Sequence, residues 1–310
     1  MKNVLRRLLA GELTEDEAIS ELRRIQLDEL GGRAKLDLGR FLRRGIPEVV
    51  LATGKAPEDA ARLAVAMAER QGQGLISRMT AAHQAALHQL ASASGMQVIA
   101  YAASARVLRP AFVPEVIGGK VGILTAGTSD LPAAEEAQMV VEACGLEARL
   151  DADLGVAGLH RFVGPLAATL DWGADVIVVA AGMDGVLPGL VAGLINVPVI
   201  GLPVSTGYGR GGAGEAALTT MLQSCSTGLV VVNIDNGVGA GAAAVLIAHR
   251  RLRGKNEATI ANTSATTISK PTKKGKTARH TSGPPTSRKA SAPSTTPTPT
   301  HISSQGKPRR

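Results

Sequence analysis

From Lys120 onward the chain alternates short apolar runs with segments long enough for a helix. "KVGILTAG" precedes "PAAEEAQMVVEACG", "EARLDAD" precedes "GPLAATLDWG", and "DVIVVAAG" precedes "LPGLVAGL". "PVIGLPV" then leads to "AGEAALTTMLQSC", and "GLVVVNID" to "GAGAAAVLIAHRRL". Apolar strands separated by helices predict a parallel sheet with helices on both faces, an α/β domain over residues 118–253. Ligands of such sheets bind outside the carboxyl ends of the strands. The loops that leave each strand are therefore the places to look for chemistry.

Residues 1–117 read as a smaller α+β unit. Helices are predicted near 2–10, 15–30 and 57–70, and strands near 74–79 and 96–103, with "LDLGRFLRRGIPEVVLATGK" linking them. Gly11 suits the end of the first helix. Thr14 and Glu17 have the spacing of a capping box for the second. The stretch from Gly185 to Gly209 has no charged residue. Pro188, Pro198 and Pro203 divide it into pieces too short to span a bilayer, so it is expected to be buried core and no membrane partner is expected.

Composition adds three points. The 310 residues are 45% hydrophobic, enough for two modest domains with a proper core. Aromatic residues are only 2%, against 36 glycines, which favours close packing and backbone-lined loops. The net charge of +8 misleads, because Lys and Arg crowd the stretch from Gly254 onward, where Glu257 is the single acid. The body before it is slightly acidic. Residues 254–310 are rich in Ser, Thr, Pro and Lys and cannot bury enough surface to offset ordering entropy, so a disordered basic tail is expected. A solvated tail is the simpler reading; weak contact with nucleic acid is the other.

Cys144 and Cys225 give no disulfide framework, and a reducing, cytoplasmic setting is expected. The opening "MKNVLRRLLAGELTEDEAISELRR" has its apolar residues interrupted by arginines and acids, unlike a secretory signal.

Each loop offers a bland and a sharp reading. In "TAGTSDLPAAEEA", Ser129 and Asp130 precede a helix; they suit a cap, or a site for phosphate and ribose. In "LGVAGLHR", His160 and Arg161 are either a surface pair or a proton carrier beside an anion clamp. In "VVAAGMDGVLPG", Gly182 and Gly185 flank Asp184, a cap or a working carboxylate, and small residues there let a ligand approach the backbone. "VVNIDNGVGAG" ends a strand with Asp235 and Asn236, again a cap or a nucleotide site. No zinc spacing, paired-cysteine motif or nucleophile-elbow serine is present. Cys225, in "MLQSCSTGLVVV", taken alone reads as a small buried hydrophobe.

The order of "GTSD", "GLHR", "AAGMDGVLPGLVAGL", "PVIGLPV" and "MLQSCSTGLVVVNIDNG" resembles the carboxyaminoimidazole ribonucleotide mutase (PurE) fold, a flavodoxin-like three-layer parallel sheet. That enzyme is shorter and lacks the N-terminal unit and the cysteine. With "LDLGRFLRRGIPEVVLATGK" added, residues 1–252 resemble the LarB family, the pyridinium-3,5-biscarboxylic acid mononucleotide synthases of nickel-pincer nucleotide biosynthesis.

The resemblance implies nicotinic acid adenine dinucleotide as substrate and CO2 or bicarbonate as co-substrate. It also implies Mg2+ for the phosphoanhydride step and a homo-octamer. Cys225 matches the nucleophile, and Cys144 is left structural. Asp184 stands where the family usually has glutamate, a shorter reach by a methylene, and matches a base or ring-positioning group. His160 and Arg161 match the His-Arg of the purine enzyme. Ser129 and Asp130 match the nucleotide-binding loop. Asp37, Arg40, Pro47, Glu48 and Lys55 match family positions in the first unit, where Arg40 and Lys55 are candidates for the adenylate phosphates or for salt bridges between units. A purine-pathway carboxylase or mutase is the competing enzyme reading, and a non-enzymatic nucleotide-binding module the other.

Overall fold

The computed structural model describes residues 2–251 apart from 25–26, 31–33 and 38. The expected basic tail lies outside the described residues. All described residues belong to one compact unit, Met1–Thr263.

The chain opens with α1 (Lys2–Leu9) and α2 (Glu15–Arg24). The capping box forms: the Thr14 hydroxyl accepts from the Glu17 N–H at 3.3 Å, and Glu17 Oε2 accepts from the Thr14 N–H at 2.9 Å. The helix predicted over 15–30 stops at Arg24. It is replaced by an antiparallel pair, β1 (Leu27–Leu30) and β2 (Ala34–Asp37). The backbone there pairs across a ladder instead, Leu27 opposite Asp37 and Leu30 opposite Ala34, a tertiary choice that local helix propensity does not foresee. After the short α3 (Arg40–Arg44) come β3 (Val49–Leu51), α4 (Pro57–Gln71), β4 (Gln73–Ser77), α5 (Ala81–Ala93), β5 (Gln97–Ala100) and β6 (Ala105–Leu108). They form a four-stranded sheet of order β3-β4-β6-β5, in which only the β3–β4 pair is parallel. Helix α4 packs its alanine-rich face on this sheet and on α5.

The second sheet contains β7 (Lys120–Thr125), β8 (Glu147–Asp151), β9 (Val176–Ala181), β10 (Val199–Pro203) and β11 (Leu229–Val231), all parallel. Its order is β11-β10-β9-β7-β8. The first strand lies inside, with the second on one side and the third on the other. This is the flavodoxin-like order, and it sets a switch point between β7 and β9. The connecting helices are α6 (Leu131–Ala143), α7 (His160–Asp171), α8 (Val186–Ala192), α9 (Glu215–Leu222) and α10, residues 237–251. Alternate residues feed two cores. Val121, Ile123, Val178 and Ile200 share one with α6 and α10. Leu124, Ile177, Val179 and Val199 share the other with α7, α8 and α9. Each such side chain, fully buried, contributes about 1.5–3 kcal/mol. The uncharged stretch from Gly185 becomes α8, β10 and their loops, and among the described residues no helix is long and apolar enough to cross a membrane.

Helix α6 stands between the two sheets. Tyr101 donates its hydroxyl to Glu142 at 2.6 Å, and Gln73 donates to the Ala143 carbonyl at 2.8 Å. The buried Ser77 donates to the buried Glu136, whose other oxygen accepts from the Val238 N–H at 3.0 Å. One carboxylate thus joins β4, α6 and the start of α10.

Candidate functional site

Two cavities adjoin at the carboxyl ends of the parallel strands. The first, about 400 Å³, lies at the switch point. It is lined from the β7 loop by Ser129 and Asp130, from the start of α7 by Arg161, and from the β9 loop by Gly182 and Asp184. Thr206 and the exposed Tyr208 close it from the β10 side.

Asp130 anchors this cavity. It is buried, and its oxygens accept from the Gly127 N–H at 2.9 Å and the Thr206 hydroxyl at 2.8 Å. Burial raises its pKa above the usual carboxylate value, those donors together with the Gly182 N–H oppose the rise, and the charge of Asp235 adds to it. Gly182 is dictated by space, because a Cβ there would lie 2.3 Å from Thr206 Oγ1 and 3.2 Å from Asp130 Oδ1. Gly185 adopts φ 64°, and a Cβ on it would meet the Ala217 backbone at 2.6 Å, so it admits the close approach of α8 to α9.

Asp184 is exposed. Its carboxylate accepts from the Val186 N–H at 3.3 Å, a long helix-start contact, while the residue also lines the cavity. Cap and available carboxylate are combined. Arg161 pairs with Asp153 at 2.8 Å, both largely exposed, a contact of small net energy that a ligand acid can displace. His160 is exposed at the first position of α7 and is not among the residues lining either cavity.

The second cavity, about 350 Å³, lies at the seam between the two sheets. Ser129 and Thr206 line both cavities. Arg78 and Ser104 enter it from the N-terminal lobe, and Glu136, Ser205 and Asp235 from the other. Arg78 donates to the Asp235 carbonyl at 2.6 Å, and Asp235 Oδ1 accepts from the Ser205 N–H at 2.9 Å. Arg78, Met183 and Asp235 all have positive φ, at 56°, 36° and 54°. Such conformations cost free energy and concentrate at functional sites. Asn236 instead caps α10, accepting from the Gly239 N–H at 2.8 Å.

Cys225 lies three residues beyond α9. It is exposed, in a groove between α8 and α9 lined also by Gly185, Val186 and Gly189. Gly185, the residue after Asp184, lines this groove, yet within one chain the groove shares no lining residue with the cavity that holds Asp184 and Asp130. Cys144 is buried at the end of α6, and burial pushes its thiol up to about 12. Arg40 and Lys55 are exposed and line neither cavity; Lys55 donates to the Leu51 carbonyl at 2.7 Å. Asp37 pairs with Arg43, and its N–H donates to Glu48 at 2.8 Å. Pro47 is buried.

Sequence reading passed over Arg78, Ser104, Glu136 and Thr206. Their signal was faint: a lone basic residue after a strand, two hydroxyls, and one of two adjacent glutamates in a helix. Among the described residues no group of three or more His, Cys, Asp or Glu is placed to hold a metal ion.

The two lobes match two family descriptions in the same order along the chain. Residues 27–111 match the LarB/PurE-like N-terminal domain, and residues 120–268 match AIR carboxylase. An uncharacterized protein of Methanocaldococcus jannaschii is 38% identical over 252 residues, covering 80% of this chain and 97% of that protein. The chain belongs to the LarB/PurE-like family. Its second lobe is a carboxylase/mutase-type domain. The N5-carboxyaminoimidazole ribonucleotide mutase of Thermotoga maritima is 29% identical over 131 residues, 41% of this chain and 74% of that enzyme. A PurE2 variant of Treponema denticola aligns with TM-score 0.35 and 19% identity over 48% of this chain and 97% of that one. The first lobe, which matches the LarB/PurE-like N-terminal domain, supplies one side of the cavity at the seam.

Proposed function

We propose that the protein carboxylates the pyridinium ring of nicotinic acid adenine dinucleotide and hydrolyses its phosphoanhydride. The products are pyridinium-3,5-biscarboxylic acid mononucleotide and AMP. The observation that carries this reading is the exposed Cys225, in a groove also lined by Gly185, the residue after Asp184, in a chain with both LarB-type lobes.

A pyridinium ring is electron-poor and CO2 is an electrophile, so the two do not react directly. The Cys225 thiolate adds to ring carbon 4, and the ring becomes a dihydropyridine whose enamine carbon 5 is nucleophilic. Carbon 5 then forms a bond to CO2, supplied as such or from bicarbonate. A base takes the carbon 5 proton, the ring regains aromaticity, and the carbon–sulfur bond breaks to return the thiolate. Asp184 serves as that base, its exposed carboxylate reaching the cavity. Arg161 exchanges Asp153 for a substrate carboxylate. His160, exposed beside Arg161 at the start of α7, moves a proton to or from solvent. Water cleaves the phosphoanhydride, giving AMP and the mononucleotide. A magnesium ion, implied by the family resemblance, would be held by the substrate phosphates with a cavity carboxylate and would neutralise charge at the phosphoanhydride.

Because Cys225 and Asp130 line different hollows in one chain, a homo-oligomer belongs to the proposal, with the groove of one copy facing the cavity of the next. The family resemblance suggests an octamer. A purine-type mutase reaction leaves Cys225 and the whole first lobe without a task. The test is incubation with nicotinic acid adenine dinucleotide and 13C-bicarbonate. Mass spectrometry is expected to find AMP and a labelled biscarboxylated mononucleotide. Turnover of carboxyaminoimidazole ribonucleotide instead would overturn the reading.

A further inference from the structure

We propose that Ser226 is a positioning residue for Cys225: its hydroxyl latches the turn that carries the thiol onto α8 and so fixes where the sulfur meets the pyridinium ring. This rests on the thiol mechanism above and adds which side chain sets its geometry.

Cys225 has no helix or strand of its own. It lies in the turn between α9, which ends at Leu222, and β11, which begins at Leu229. Backbone bonds hold the two ends of that turn. The Gln223 N–H donates to the Thr219 carbonyl at 2.9 Å, and the Val199 N–H donates to the Gly228 carbonyl at 3.0 Å. Between these ends the Ser226 hydroxyl donates to the Gly189 carbonyl of α8 at 2.6 Å, and the Ser226 N–H donates to Ser224 Oγ at 3.2 Å. Among the described residues, the first of these is the one hydrogen bond that joins residues 224–227 to α8. The Gly189 carbonyl already accepts from the Gly193 N–H at 3.1 Å, so the serine takes its second lone pair.

The sequence of α8 makes room for this approach. A Cβ on Gly189 would lie 2.8 Å from Ser224 Oγ, and one on Gly193 would lie 3.4 Å from Ser226 Oγ. The two glycines are four residues apart and share a helix face, which lets the cysteine turn come down onto α8. Within one chain no charged side chain lines the groove around Cys225, so what the groove itself gives the thiol is position. Addition of sulfur to ring carbon 4 needs a near-attack geometry, and a misplacement of about 1 Å can cost on the order of 100-fold in rate. A turn held only at its ends leaves the sulfur that much freedom; the latch removes it.

The test is steady-state turnover of nicotinic acid adenine dinucleotide with bicarbonate by the full chain and three variants, together with amide hydrogen exchange of the same proteins. Ser226→Ala is expected to lower kcat about 3- to 10-fold at unchanged KM, and to speed exchange across residues 224–228 by a similar factor, the worth of one neutral hydrogen bond. Its Tm is expected to stay within about 4 °C of wild type. Ser226→Thr keeps the hydroxyl and is expected to hold kcat within about twofold of wild type. Gly189→Ala removes no hydroxyl, but its methyl presses on Ser224 and is expected to lower kcat at unchanged KM. The rate at which iodoacetamide alkylates Cys225 is expected to change by less than about twofold in Ser226→Ala, because a small reagent attacks the thiol from solvent without a fixed pose. An alkylation rate that falls in step with kcat would show that the serine acts on the reactivity of the sulfur, and would overturn a positioning role. Wild-type kcat in Ser226→Ala, or equal losses in Ser226→Ala and Ser226→Thr, would overturn the proposal and leave the function standing. No dinucleotide turnover by the wild type, with exchange still faster in Ser226→Ala, would sink the function and with it the task of the thiol, while leaving the latch in place.

Discussion

The Thr206 hydroxyl donates to Asp130 Oδ1 at 2.8 Å, fastening the loop after β10 to the loop after β7 across the switch point. Gly182 passes close enough beneath that a Cβ would strike the threonine oxygen. Three loops from three strands therefore define one cavity wall. Thr206→Val keeps the shape and removes the donor, leaving a buried carboxylate one partner short. The expected loss of stability is about 1–3 kcal/mol. Urea denaturation measures it, and an unchanged midpoint would show the contact to be incidental.

Asp130 gives a pH dependence with a definite sign. Burial raises its folded pKa above the ordinary 3.8. Its contribution to stability is thus fully present below about 3.8 and is lost as pH rises through the folded value. Asp130→Asn cannot ionise. The Tm difference, variant minus wild type, is expected to shift upward from pH 3 toward neutrality by an amount set by that raised pKa. A difference that stays flat across this range would place the carboxylate in a more solvated setting than the one described.

The two cysteines are expected to behave oppositely toward iodoacetamide at pH 8. Cys225 is exposed, and Cys144 is buried with its thiol pushed up to about 12, so it has almost no thiolate. Peptide mapping of the folded protein should find the label on Cys225, with Cys144 labelled only in urea. Equal labelling of both in the native state would mean that α6 opens readily.

Glu136 ties the lobes together. Glu136→Ala leaves the Ser77 hydroxyl and the Val238 N–H, both at the seam, without an acceptor. A loss of about 1–3 kcal/mol per unpaired buried group is expected, read by denaturant unfolding. A loss within experimental error would mean that water replaces the carboxylate and that the lobes do not depend on it.

The second lobe was legible because its inner strands β7, β9 and β10 are apolar and buried on both faces. "VIVVAAGMDG" gives β9, its turn and the cavity residues Gly182 and Asp184 in one reading. The first lobe was less so. "AAHQAALHQLASA" has weak amphipathic patterning, and α5 was missed. So was β6, "ARVL", whose Arg106 is buried through pairing with Gln73 and Glu142 rather than through its own chemistry. The seam cavity was invisible for a related reason. Ser77 meets Glu136, and Arg78 meets Asp235, across gaps of 59 and 157 residues, and no local pattern encodes contacts of that range.

Cys225 is where the proposed chemistry is most exposed to test. The decisive measurement is incorporation of 13C from bicarbonate into the mononucleotide by Cys225→Ala, compared with wild type under identical conditions. The account predicts labelled product from wild type and none above background from the variant, with AMP affinity retained as a sign of correct folding. Labelled product from Cys225→Ala at the wild-type rate would contradict a sulfur adduct and with it the proposed mechanism.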